Sequence, residues 1–491
     1  MRHVSLLLRN ARQPGGGPVD VLIDHGRVAA MGYGLPAGVA EIIDLAGRYI
    51  LPGLWDNHVH LTQHALARRR VDVSVAASAA QAARIMADHF LVQPPEPGVA
   101  LIGYGFQDGL WPDVPTRDLL DAAIARVPVI LLGHDLHCCW MNSVALAQFG
   151  FGDHPTGLLR EDDCFHVAAA VHSVPATLLD RWIAEAATAA AARGVVGVVE
   201  FEMAPNLDTW RSRFAAGFDT LRIAAGIYTQ QLDNVIAAGY RTGDAVDGTH
   251  GLLTIGPYKV IIDGTLNTRT AFCIDSYPGI EDQPGARGIL TVTPHELVPL
   301  LRASAAAGLL PAVHAIGDEA GRLALNAFEV VGCAGRIEHA QLLREADFTR
   351  FARLGVVASV QPEHAMDDRE IADRYWTGRT GRAFALRSLL EAGAELIFGS
   401  DAPVAPLDPW ITAAAAVSRS RDGREPWHPE QTISIEQALA ASTNRFGRIA
   451  VGATADLAIV DEDPLAVTAD RLRRMSVSGT LLAGRWTHNT L

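Results

Sequence analysis

The feature that most limits what this chain can fold into is an alternation running from about residue 50 to residue 445. Short apolar, β-prone runs alternate there with Ala- and Leu-rich helical stretches. A strand followed by a helical crossover and another strand builds a parallel sheet, because parallel neighbours cannot be joined by a tight hairpin. The first run opens at Tyr49-Ile50 and closes on Trp55-Asp56-Asn57-His58-Val59-His60. Further strand candidates lie at 127–132, 195–201, 252–262, 309–314, 336–339, 356–361 and 395–401. With the first they make about eight, the strand number of a (β/α)8 TIM-type barrel. Between them, 178–192 and 294–307 read as helices. The second has a Thr293/Glu296 capping-box pair, Pro294 at its first position and Gly308 as its stop, although Pro299 lies inside it.

The two ends of the chain read differently. Residues 4–8, 19–23 and 27–31 are strand-like, and Asp24-His25-Gly26 marks a hairpin between the last two. Residues 455–461 and 477–486 are again strand-like, with Gly turns. The expected organisation is a small β-sandwich domain built from 1–50 and 447–491, and a barrel over 51–446 with an insertion at about 64–160. The formal net charge of -14 argues against a nucleic-acid surface, which needs a concentrated basic stripe. Five cysteines without zinc-knuckle or disulfide spacing read as reduced thiols of a cytoplasmic protein. No apolar stretch reaches the roughly 18 residues of a membrane span, and the N-terminal apolar run is too short for a signal peptide. A small-molecule substrate is expected, with a homodimer as the default assembly.

The chemistry lies where the runs stop. His58 and His60, two residues apart in an extended strand, point to one side and can hold one metal ion. Later runs end on His314, His339 and Asp401. In a (β/α)8 barrel the C-terminal strand ends converge, so these residues would meet. Four histidines and an aspartate suit a divalent ion, zinc first, in one or two copies. Catalytic zinc keeps a position open for water and lowers its pKa to about 7. Asp401 could then serve as ligand and general base, or could instead cap a helix through Ser400-Asp401-Ala402-Pro403. Lys259, inside the apolar run 252–262, should have a lowered pKa if buried. A neutral amine can take up carbon dioxide and bridge two cations as a carbamate, the alternative being a structural lysine that snorkels to water.

With those residues assembled, the chain resembles the amidohydrolase superfamily, in particular the YtcJ-like branch of the amidohydrolase-3 family. The resemblance runs nearly end to end. It is carried by LPGLWDNHVHL (51–61), HDLHCCWMNSVAL (134–146), PTGLLRE (155–161), YKVIIDGTLNTRTA (258–271), VHAIGDEA (313–320), RIEHAQL (336–342), SVQPEH (359–364), FGSDAPV (398–404), ISIEQALAASTNRFG (433–447) and ATADLAIVDEDPL (453–465). The resemblance implies a metal-dependent hydrolase acting on a non-peptide C–N bond of an amide, formamide or cyclic amide through metal-activated water. It implies His58, His60, His314 and His339 as ligands, Lys259 as a carboxylated bridge and Asp401 as the catalytic aspartate. Glu200 or Glu202, at the end of run 195–201, could bridge in place of Lys259. Asp263, Arg269, Asp318, Gln361 and His364 follow strand ends and are expected to line the substrate pocket, about half of them as supports for the ligands. Trp140 and Asn142, in the insertion, could close it, core packing being the stronger reading for Trp140. The other readings are a mononuclear deaminase using His58, His60, His314 and Asp401 with an unmodified Lys259, and a non-catalytic metal-binding barrel.

Overall fold

The structure, a computed structural model, describes residues 5–106, 108, 111–133, 138–160, 162–171, 174–266, 269–443 and 448–491. His134 to His137, Glu161, Asn267-Thr268 and Asn444 to Gly447 lie outside the described residues, and with them parts of four quoted motifs and the expected domain boundary at 446/447. The chain separates into two compact units, Met1–Leu61 with Ala184–Leu491, and Thr62–Ile183.

The first unit contains the barrel. Its eight strands are β1 (Leu54–Val59), β2 (Val195–Glu200), β3 (Arg222–Ile227), β4 (Leu253–Ile261), β5 (Pro311–Ala315), β6 (Gly335–His339), β7 (Val356–Val360) and β8 (Leu396–Phe398). They pair in parallel in that order from β1 to β8. Every residue of β1, β2, β6, β7 and β8 is buried, as expected of strands covered on both faces. The sheet closes between β8 and β1. The Asn57 side-chain amide donates to Phe398 O (3.0 Å), Asp401 N–H to His58 O (2.7 Å) and His60 N–H to Ala402 O (2.9 Å). Gly399 permits this closure, since a Cβ there would lie 2.7 Å from both the backbone nitrogen and the Cβ of His58. The expected helix and cap are present: the helix Pro294–Ala306 starts where Glu296 accepts from the Thr293 N–H at 2.9 Å.

One strand expectation needs correction. The run 127–132 is not a barrel strand; Val129–Gly133 belongs to the second unit. The missing barrel strand is β3, whose Arg-Ile-Ala-Ala-Gly-Ile sequence has little β-branched content and hides among helix formers.

Both termini build one eight-stranded sheet. Its order is Arg485–Asn489, Val477–Leu482, Leu457–Val460, Tyr49–Pro52, Leu6–Arg12, Pro18–Asp24 and Arg27–Gly32, with Glu41–Asp44 also pairing with Leu6–Arg12. The expected hairpin is there: Asp24 pairs with Arg27 across His25 and Gly26, both at positive φ (47° and 75°). Leu51 opposes Ala458 and Ile50 opposes Ile459, so the C-terminal strands join the sheet immediately before the chain enters the barrel.

The second unit carries a five-stranded sheet with two apolar clusters. Trp140 is wholly buried in one of them, edge-on to Phe106 and Trp111. Its ring is a core group, the stronger of the two readings for Trp140, and not a pocket-closing one. Asn142 is equally internal. Its Oδ1 accepts from Val129 and Ala145 N–H, and its Nδ2 donates to Ile124 O and Val127 O, so it caps the helix Ser143–Gln148.

Candidate metal centre

His58 is the last-but-one residue of β1, and His60 follows that strand. His58 Nδ1 lies 2.7 Å from Glu338 Oε2, which leaves Nε2 to face the barrel mouth. There it stands 3.5 Å from Asp401 Oδ1 and 3.3 Å from Lys259 Nζ. His60 Nε2 is 3.3 Å from the same Asp401 oxygen. His339, at the end of β6, sits with its ring centroid 4.9 Å from His58 and 4.4 Å from His314 of β5. His364 lies parallel to His339 at 6.3 Å, its Nε2 4.0 Å from Asp401 Oδ2. Two residues here hold a left-handed backbone, His339 (φ 72°) and Asp401 (φ 57°), a conformation uncommon for non-glycine residues.

These side chains fit a divalent ion. Ligand-type atoms of His58, His60 and Asp401, and again of His339, His364 and Asp401, lie within 4.8 Å of one another. His314 Nε2 is engaged with Gly264 O at 3.3 Å, so Nδ1 carries its lone pair. His60 Nδ1, His339 Nδ1 and His364 Nε2 are buried with no hydrogen-bond partner, a costly state unless another group engages the ring. Charge state agrees. Burial, aided by the Lys259 charge, takes His58 down to about 4 and His314 down to about 3. Burial and the neighbouring His314 also hold His339 well below the usual imidazole range. Neutral imidazoles at pH 7 are what a metal requires. Burial works against ionisation of Asp401, yet His58, His60, His339 and His364 around it hold its carboxyl well below the usual range.

Asp401 does not cap a helix. That part falls to Asp408, which accepts from Trp410 N–H at the start of the helix Pro409–Ser418. Nor does Lys259 snorkel: it is 2% exposed, with Nζ 4.2 Å from the centroid of the Phe201 ring. Burial, partly offset by Glu338 and Asp401, brings its amine down to about 8.

The expected pocket residues divide. His364 belongs with the ligand-type groups, and Gln361 is buried with its Oε1 unpartnered. Arg269 is half-buried over the Tyr375 ring. Asp263 is a staple: its carboxylate accepts from Phe272, Ile316 and Gly317 N–H and lies 3.5 Å from His314 Nε2. Burial pushes it up to about 7 against those hydrogen bonds. Asp318 is another staple, paired with Arg382 at 2.9 Å and accepting from Ile274 N–H. Glu200 is buried and accepts from Leu61 and Glu202 N–H through Oε1, while Oε2 has no partner; burial pushes it up to about 7. Glu202 is half-buried.

Sequence reasoning missed Glu338, Arg336 and Asp56. Arg336 and Glu338 alternate on one face of the fully buried β6, the same signal that exposed Lys259. Asp56 accepts from the N–H of His58 (3.1 Å) and of Ser400 (2.9 Å) and so ties the two ends of the closing seam together.

Residues 41–488 match the amidohydrolase family, Amidohydro_3. The YtcJ protein of Bacillus subtilis (strain 168) is 26% identical over 92% of this chain and 91% of its own length. An N-substituted formamide deformylase of Arthrobacter pascens is 25% identical over 94% of each chain. Among solved structures, an uncharacterised metal-dependent hydrolase of Pyrococcus horikoshii OT3 superposes with a TM-score of 0.78 at 26% identity, covering 95% of this chain and 99% of the other.

Proposed function

The chain belongs to the amidohydrolase family, and from that premise we propose that it hydrolyses a non-peptide C–N bond of a small amide, formamide or cyclic amide. The observation that carries this reading is the meeting of His58, His60, His339 and His364 around the carboxylate of Asp401 at the barrel mouth. A divalent ion held by these residues, zinc being the first choice for nitrogen and carboxylate donors, would supply Lewis acidity and acidify a water. His58, His60 and Asp401 would hold one ion, and His339 and His364 face the same aspartate, with His314 beside His339. Two ligand groups sharing Asp401 leave room for a second ion, with Lys259 or Glu200 as the bridging group.

The chain's own part is proton handling. Asp401, ionised among imidazoles, accepts a proton from the attacking water and returns it to the leaving nitrogen. Asp401 holds a left-handed backbone, and its carboxylate faces His58 Nε2 and His60 Nε2. His364, on the far side of Asp401, limits where that carboxylate can swing. The substrate is a small molecule, and the Arthrobacter pascens relative's name makes N-substituted formamides the first class to try. The test is elemental analysis of the purified protein combined with a screen of N-formyl, N-acyl and cyclic amide compounds. Metal together with turnover that the chelated protein lacks supports the reading; a metal-loaded protein inert to all three classes overturns it.

A further inference from the structure

We infer that Arg336, Glu338 and Ser359 form a positioning relay beneath the candidate centre that holds His58 in its metal-binding tautomer; this rests on the reading of His58 as a ligand. The relay is complete in hydrogen bonds. Glu338 Oε2 meets His58 Nδ1 at 2.7 Å and accepts from Ser359 Oγ at 2.7 Å. Arg336 Nη2 donates to Glu338 Oε2 (3.1 Å), to Ser359 Oγ (2.8 Å) and to the backbone carbonyl of Asn57 (2.6 Å), the residue before His58. Arg336 Nε donates to the other Glu338 oxygen. Arg336, Glu338 and Ser359 are all at least 96% buried.

A buried ion pair gains little stability over apolar side chains of the same volume, so its presence at this depth calls for another reason. The geometry supplies one. Glu338 Oε2 accepts from Arg336 and Ser359 and so meets His58 Nδ1 as an acceptor too, which puts the imidazole proton on Nδ1 and the lone pair on Nε2, directed at Asp401 and Lys259. A carboxylate behind an imidazole also makes the ring a stronger donor. Arg336 keeps the carboxylate charged inside the barrel, and its bond to Asn57 O anchors the relay to β1 itself. Among the described histidines of the centre, only His58 has a carboxylate oxygen this close behind its inner nitrogen; His60 Nδ1 and His339 Nδ1 have no partner. β6 therefore serves twice, with His339 at the mouth and Glu338 below it.

The test uses the full chain as wild type, as E338Q and as the double variant R336M/E338Q. Zinc affinity is read by chelator competition, cobalt-substituted protein by its visible spectrum, and the metal-free protein by its melting temperature. E338Q keeps an acceptor oxygen but loses the charge, and it is expected to weaken zinc binding about 10–100-fold with an altered cobalt spectrum. It also leaves Arg336 buried without a counter-ion, so the metal-free protein should melt lower. The double variant removes that imbalance: it should recover the melting temperature but not the zinc affinity. If E338Q does not fold, the double variant alone carries the comparison. Wild-type zinc affinity in either variant, or affinity recovering along with stability, would overturn the relay and leave Glu338 a structural residue. A wild-type chain that binds no zinc would overturn the metal-site reading, and the relay with it.

Discussion

Two tiers of buried polar side chains lie at the C-terminal end of the barrel, and they differ in whether their atoms have partners. In the lower tier, the side-chain oxygens of Glu338 and Ser359 and the anchoring nitrogens of Arg336 are all hydrogen-bonded. In the upper tier, His60 Nδ1, His339 Nδ1, His364 Nε2 and Gln361 Oε1 are buried and unpartnered. The two aspartates that follow β4 and β8 repeat the contrast: Asp263 accepts from three backbone N–H groups, whereas the Asp401 carboxylate faces histidines. Folding tolerates few buried polar groups without partners. On the proposed reading, the tier that keeps several is where an ion would sit, and the fully bonded tier holds His58 in place for it.

The comparison can be broken at its upper edge first. Asp401→Asn should cut turnover by about 10²–10⁴-fold, the usual weight of a general acid–base group, while most of the metal seen by elemental analysis remains. Turnover near wild type would remove Asp401 from proton transfer. Next in size, His60→Ala should lower the bound metal by at least one equivalent and abolish activity that added zinc restores only in the wild type after chelation. Unchanged metal content in that variant would mean the unpartnered imidazoles serve something other than a cation. Lys259→Met sharpens the count of ions: a fall from two equivalents to one is expected if its amine bridges, and two retained equivalents would transfer that part to Glu200, whose Oε2 is buried and unpartnered. The smallest effect belongs to a fully bonded staple. Asp263→Asn should cost about 1–3 kcal/mol, since an amide cannot accept all the backbone N–H groups the carboxylate does, and it should appear as a lower unfolding midpoint with metal content intact. Loss of metal there would place Asp263 in the upper tier.

Much of the upper tier was legible because its signal is local. His58 and His60 share a face by the period of a strand, and Lys259 stands out inside an apolar run. The lower tier was written just as plainly, as Arg336 and Glu338 at alternating positions, but its meaning depends on a partner. Glu338 meets His58 across 280 positions of sequence, and no period in either strand announces that pairing. The same limit explains Asp263 and Asp318. Their place after a strand end is visible in sequence, but whether a carboxylate faces a substrate or ties down a loop depends on which backbone N–H groups arrive beside it.

By itself the sequence determined the strand–helix alternation, the hairpin at Asp24–Arg27, the capped helix after Thr293 and most of the residues of the candidate metal group. These follow from side-chain period, turn chemistry and donor type, all of which act over a few residues. Only the tertiary structure decided that Arg222–Ile227 and not 127–132 completes the barrel, that His364 joins the ligand-type group, and that His58 rests on Glu338. Those facts come from closing eight strands into one ring, which brings strand ends hundreds of residues apart within hydrogen-bonding distance.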